Sequence, residues 1–327
     1  MKKLARVLAV AGLLLAAVLF ARENVGHIAA TVARAAPGLL VASGFHLLPM
    51  VLNAIAWDYL FPAGRRPGVR ALTFAVWIRE SVNGVLPVAR IGGEVVAYRI
   101  LRRIASSRAE AAASLAADVA LSVVSQSAFA LLGLSLLLAG RSTSGFVAEL
   151  IAATLVMLVL GGAFVYVQRA GALAALTRVA ERLFARPFHT AMRKSRRVDR
   201  TLRDIYQRRR DIVACIAWQL AGWMAGAGEI SLALHFLGAP SSLLDALVIE
   251  ALIQAISSAA FIVPGALGVQ EAGFIVLGAA LGLDPPTSLA LAAARRLRDV
   301  VIFVPGLAAW QWFEARTPRV RNARESA

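Results

Sequence analysis

Pro87-Val88-Ala89-Arg90-Ile91-Gly92-Gly93-Glu94 is matched 177 residues on (264 less 87) by Pro264-Gly265-Ala266-Leu267-Gly268-Val269-Gln270-Glu271. Both segments read proline, alanine two places later, intervening glycine, and glutamate seven places after the proline. Each interrupts an apolar stretch. Ala71 to Pro87 leads into the first and Glu94 to Ile104 leaves it, while an apolar run to Val263 leads into the second and Ala272 to Leu283 leaves it. Proline removes a helical hydrogen bond and glycine permits non-helical backbone. A broken helix at membrane depth is tolerated only where it is buried in protein or lines a cavity. Paired interruptions in two halves of a chain point to a transporter's binding site. The repeat therefore predicts two re-entrant helical hairpins, with tips at Pro87, Gly92 and Gly93 and at Pro264, Gly265 and Gly268.

Composition places these hairpins in a membrane. Of 327 residues, 59% are hydrophobic and 17% charged, against roughly 45–50% and 25% in a soluble domain. The net charge of +16 would suggest nucleic acid in a soluble protein. Here the positives lie between and after the apolar stretches, which fits membrane topology and anionic lipid. The one cysteine, Cys215, excludes a disulfide framework and a thiolate metal cluster. The histidines His27, His46, His189 and His235 show no metal-ligand spacing. No nucleotide-binding fingerprint is present, and no cofactor is expected.

Organisation follows from hydropathy and charge. Leu4 to Phe20 reads as an uncleaved anchor helix, although a signal peptide begins the same way. The expected units are a first repeat over 38–140, a linking span over 146–167, a basic loop over 169–210, a second repeat over 212–313 and a basic tail over 314–327, in one membrane domain. The loop carries 13 Lys/Arg against 3 Asp/Glu. Capping boxes open helices at Ser107 to Glu110 and at Ser242 to Asp245. Counting positive residues places both termini, 62–70, 99–108 and 169–210 in the cytoplasm, and 21–37, 139–145 and 238–243 outside. The halves are then opposite in sense, an inverted-topology repeat. The expected fold is all-α and polytopic, with about six full spans plus two hairpins, or about eight spans if each arm near 20 residues crosses. Whether the second hairpin is re-entrant or two full spans stays open.

Ionisable groups at membrane depth are functional candidates by default. Glu94 and Glu271 come first because the repeat singles them out. They either line a central cavity or cap amides and pair with arginine at a broken helix end. Arg79, Glu80 and Arg90 belong to the first hairpin, where Arg90 sits in the tip. Arg295 and Arg296 lie inside the last helix and need partners, with Glu271 and Asp299 as candidates. Asp118 falls 177 residues before Arg295. Asp58, Gln126, Glu229, Glu250 and Gln254 read as packing hydrogen bonds. Gly222 and Gly226 stand at GxxxG spacing, either within one chain or between chains.

Asn83-Gly84-Val85-Leu86-Pro87 through Arg90-Ile91-Gly92-Gly93-Glu94, with Arg99, resembles the first motif of the lysylphosphatidylglycerol synthase transmembrane-domain (flippase-like) family. Pro264 to Glu271, with Arg296 and Pro305-Gly306, resembles its second. The stretches Phe45 to Tyr59, Trp77 to Glu94 and Ala294 to Trp312 look most like the family's hopanoid-biosynthesis-associated branch. The resemblance implies a multi-pass protein of the bacterial cytoplasmic membrane that moves polar lipid between leaflets. The chain ends at Ala327, soon after the last apolar helix, so the soluble aminoacyl-transfer domain and lysyl-lipid synthesis are not expected. The substrate-binding candidates are Glu94, Glu271, Arg90, Arg79, Arg295 and Arg296. The expected partners are membrane lipids with anionic or polar headgroups. Lipid-biosynthesis enzymes are further partners if the chain is instead a non-transporting scaffold that uses the basic loop.

Overall fold

The computed structural model describes residues 2–23, 25–86, 92–140, 189–260 and 263–316. Helices and short turns account for these residues, and no strand occurs among them. The helices are α1 (Lys2–Arg22), α2 (Val25–Phe45), α3 (Leu47–Asp58), α4 (Val69–Val85), α5 (Gly92–Ile104), α6 (Arg108–Gly140), α7 (His189–Gln207), α8 (Arg209–Phe236), α9 (Leu243–Ala259), α10 (Val269–Ala280), α11 (Pro285–Arg298) and α12 (Val304–Ala315). The expected linking span over 146–167, Pro87, Arg90 and the tail from 317 lie outside the described residues.

The repeat reaches well beyond its motif. An offset of 177 carries α5 onto residues 269–281, against Val269–Ala280 for α10. The same offset carries α6 onto 285–317, the range in which α11 and α12 run from Pro285 to Ala315. Contacts between the halves are reciprocal. The first hairpin arm α4 packs on α12, and the second half's first arm α9 packs on α6. Helices α3 and α8 lie side by side between them.

Prolines explain the breaks. Helix α2 stops at Phe45 and α3 begins at Leu47, because Pro49 cannot donate to the Phe45 carbonyl and its ring crowds that group. Leu86, the residue before Pro87, is extended at φ −93° and ψ 144°, as a residue preceding proline prefers. Pro305 has a similar effect in the last helix. Upstream of it, Asp299–Phe303 widens to a π-turn, and the Ile302 carbonyl accepts a 2.7 Å bond from Trp77 Nε1 of α4. Gly306 lets α4 approach, since a methyl group there would collide with Ser81 and Trp77.

Two expectations are corrected. The first repeat, expected from residue 38, is entered by a helix that already begins at Val25. The Ala-rich run through Ala29, Ala30, Ala33, Ala35 and Ala36 carries α2 past Pro37. At Ser107 the capping box is half formed. Ser107 Oγ accepts from the Glu110 amide at 3.1 Å, but Glu110 Oε1 turns to Arg65, also at 3.1 Å. The Ser242 to Asp245 box forms completely.

Val25–Asp58 and Arg108–Ala139 are long and apolar enough to cross a membrane. Apolar side chains at Leu40, Val41, Leu132, Val213 and Trp312 face outward. The GxxxG pair packs within the chain. A methyl group on Gly226 would fall 2.8 Å from Glu250 Oε1, whereas on Gly222 the nearest atom is the Pro49 carbonyl oxygen at 3.5 Å. Gly226→Ala should therefore lose about 1–3 kcal/mol by overpacking. Gly222→Ala should be neutral or gain up to about 1 kcal/mol. Thermal unfolding of the two purified variants separates them; equal midpoints would refute the close approach of Gly226.

Candidate functional site

The two hairpins meet at their ends. Arm α4 touches the Pro264–Ala266 turn, and a methyl group on Gly265 would sit 3.6 Å from the Gly84 carbonyl oxygen. Left-handed backbone shapes the second tip. Gly265, Ala266 and Gly268 have φ of 60°, 49° and 75°, and Gly268 lies so close to Gly12 of α1 that a side chain would collide with its carbonyl. In the first tip, the Gly93 amide donates to Asn83 Oδ1 at 2.8 Å. A methyl group on Gly93 would strike the Arg79 carbonyl. Glycine thus lets α5 start directly against α4.

A cavity of about 220 Å³ lies beside these tips. Its polar wall comes from both halves: His46, Glu80 and Asn83 from the first, Glu250, Arg295 and Asp299 from the second. Asn53, Gln254, Ser257, Gln270, Arg296 and Arg298 add further hydrogen-bonding groups to it.

Three arginines near the end of α11 organise the charge. Arg295 forks onto Glu250 with bonds of 2.8 and 3.1 Å, and stands 3.6 Å from Glu229. Arg296 holds Glu271 Oε1 through Nε at 2.9 Å, the Gly265 carbonyl through Nη1 at 2.9 Å, and approaches Asp299 at 3.6 Å. Arg298 pairs with Asp299 at 2.7 Å and lies against the His46 ring, with Nη1 2.9 Å from Nδ1 and 3.1 Å from Nε2. His46 Nδ1 stands 2.7 Å from Glu229, and its Nε2 is 3.5 Å from Glu80. Such bidentate and charge-assisted contacts are the strong class of hydrogen bond.

The first hairpin has its own ion pair. Arg79 contacts Asp118 of α6 at 2.5 Å, stacks over Trp57, and leaves Glu94 at 4.0 Å. Asn83 Nδ2 reaches Glu94 at 3.4 Å, and Gln219 of α8 donates to Asp118 at 3.3 Å. Asp118 and Arg295, 177 residues apart, thus play matching parts with opposite charge. Each is buried and each clamps the first arm of its own hairpin.

Of the residues singled out from the sequence, Arg295 and Arg296 reach the cavity wall. Glu271 lies behind it, where Oε2 accepts the Gly268 amide at 2.7 Å and Oε1 takes Arg296. Arg79 and Glu94 also stand behind the wall, bracing α4 against α5 and α6. Arg295 finds Glu250 and Glu229, while Glu271 and Asp299 go to Arg296. Sequence reasoning passed over His46 and Arg298, read Glu229 and Glu250 as packing hydrogen bonds, and named Glu80 only as part of the first hairpin and Asp299 only as an arginine partner. The available signal was a glutamate in the apolar interior of a helix, away from its first-turn acid, at Glu229 and Glu250.

The chain is thus a helical domain whose broken helical pairs meet at a charged cavity. The chain belongs to the family of the lysylphosphatidylglycerol synthase TM region, whose model matches residues 4–306. It is therefore a membrane protein of a family associated with lipid handling. No curated protein and no solved structure matches the chain.

Proposed function

We propose that this protein moves a polar lipid between the leaflets of the bacterial cytoplasmic membrane, without covalent chemistry. The headgroup passes through the cavity beside the two hairpin tips. Both hairpins are re-entrant, from opposite faces, in an inverted repeat whose termini are cytoplasmic. The observation that carries the reading is the meeting of equivalent broken hairpins at a cavity lined by charged groups from both halves. Such a cavity shelters a headgroup from hydrocarbon, and broken helices in equivalent positions are how transporters build midplane sites. The lipid is a hopanoid or another polar lipid, as the resemblance of residues 45–59, 77–94 and 294–312 suggests.

The test is reconstitution into vesicles of phosphatidylethanolamine and phosphatidylglycerol carrying acyl-chain-labelled phosphatidylglycerol, alongside identification of lipid co-purified in mild detergent. The expected result is protein-dependent exposure of inner-leaflet label and a defined lipid held near one per chain. A stationary label with only bulk lipid bound would replace this reading with a scaffold that docks lipid-modifying enzymes. The exposed arginines of α7, Arg196, Arg197, Arg200 and Arg203, would then be its docking face.

A further inference from the structure

His46 stands in the gap between α2 and α3 with a carboxylate on each ring nitrogen. Glu229 Oε2 of α8 is 2.7 Å from Nδ1, and Glu80 Oε2 of α4 is 3.5 Å from Nε2. A neutral imidazole has one N–H and one lone pair. With the ring neutral, one carboxylate would face a lone pair. One added proton lets the ring donate on both sides. Arg298 Nη1 lies 2.9 Å from Nδ1 and 3.1 Å from Nε2, and its positive charge opposes a second ring proton, so the two carboxylates must outweigh it. Phe303 covers another side edge-on, with centroids 5.9 Å apart.

The surrounding charges lead to the same conclusion. Arg295, Arg296 and Arg298 face Glu80, Glu229, Glu250, Glu271 and Asp299 through the contacts described above. Arg79, next to Glu80 on α4, adds a fourth cation and brings Asp118 and Glu94 with it, so four cations face seven carboxylates, and uncompensated buried charge is strongly unfavourable. A proton on the triad reduces that excess. The triad also has a single wet side. His46 and Glu80 line the cavity, and the Glu80 side chain is 26% exposed against 5% for Glu229.

We propose that Glu80, His46 and Glu229 form a proton-binding site whose loading and unloading drives the lipid movement. This inference rests on the transport reading above. In unloading, the Nε2–H bond breaks, an O–H bond forms on Glu80, and Glu80 then releases the proton to cavity water; no electrons change hands. The ring keeps Nδ1–H toward Glu229 and turns a lone pair toward the ionised Glu80. That repulsion pushes α4, an arm of the first hairpin, away from α3. Proton occupancy and hairpin position are thereby coupled.

The experiment imposes a gradient of about one pH unit across the vesicles described above, with membrane potential clamped by potassium and valinomycin. One proton per lipid corresponds to about a tenfold leaflet asymmetry, since one pH unit is about 1.36 kcal/mol, a factor of ten. The asymmetry should reverse when the gradient is reversed, and His46→Gln should abolish it. Label that moves but settles evenly between leaflets in the wild type overturns proton coupling and leaves lipid movement standing. Label that never moves overturns both readings. A His46→Gln protein that keeps the tenfold asymmetry overturns the assignment to this triad. Should His46→Gln fail to fold, Glu80→Gln decides, with lost asymmetry expected and retained asymmetry contrary. Nitrogen-15 histidine spectra of the wild type in detergent add a readout free of transport. A His46 ring that never carries both protons across the pH range of the folded protein overturns the proposal.

Discussion

Arg295→Ala should lower the stability of the purified protein by about 3–5 kcal/mol, the range for removing one partner of a buried ion pair. In thermal unfolding this is a fall in midpoint of about 10 °C, at roughly 2–4 °C per kcal/mol for a large domain. The side chain of Arg295 is 3% exposed and that of Glu250 is also 3% exposed. Removing the guanidinium leaves Glu250 without its fork and Glu229 without one of its two arginines. The loss is then set by stranded carboxylates and not by the modest net value of the pair. Arg295→Met combined with Glu250→Met should recover much of the stability, because a buried pair replaced by apolar groups is often neutral. Arg99→Ala supplies the contrast. Its partner Glu314 is 3.8 Å away and the Arg99 side chain is 56% exposed, so the change should stay within about 1 kcal/mol. Equal midpoints for Arg295→Ala and Arg99→Ala would remove Arg295 from the structural core of the site.

What the sequence made legible was local. Pro87, Pro264 and their glycines act on their own backbone, so the hairpin breaks could be placed from residue type alone. The arm Gly92–Ile104 and the helix Arg108–Gly140 follow the same logic. The repeat offset added the non-local link between Glu94 and Glu271. The start of α2 ahead of Pro37 was not legible, although five alanines nearby favour a helix there. Pro305-Gly306 carried a usable signal, since a proline inside a helix frees a carbonyl and a glycine admits a neighbour. The site itself was far less legible. His46 meets Glu229 across 183 residues, and Arg295 meets Glu250 across 45. No spacing rule links such pairs. A lone glutamate in an apolar helix looks the same whether its partner is a serine or a guanidinium. The choice between them comes from helix packing, here α3 against α8, and α9 and α11 each against α8.

Glu271→Gln should slow lipid movement by about ten- to a hundredfold, while Glu94→Gln should change it by less than about threefold. The repeat makes these glutamates equivalent, but their surroundings make them unequal. Glu271 serves two donors at once: the Gly268 amide on Oε2 and Arg296 on Oε1. A glutamine has one oxygen to offer and turns an NH₂ group toward the other donor. One charge-assisted bond is lost, worth about 1.5–3 kcal/mol, and each 1.4 kcal/mol is a factor of about ten. The loss falls on the tip, because Arg296 also grips the Gly265 carbonyl that abuts α4. Glu94 has no comparable duty. Arg79 already holds Asp118 at 2.5 Å, and Glu94 stands 4.0 Å from Arg79 and 3.4 Å from Asn83. A glutamine there can still accept from Asn83. Initial rates of label exposure in the phosphatidylglycerol vesicles, at equal amounts of folded protein, measure both variants. Wild-type rates for Glu271→Gln would show that the Arg296 link does not set the tip's position. Equal losses in the two variants would show that the repeat, and not the local ion pairs, decides what these carboxylates do.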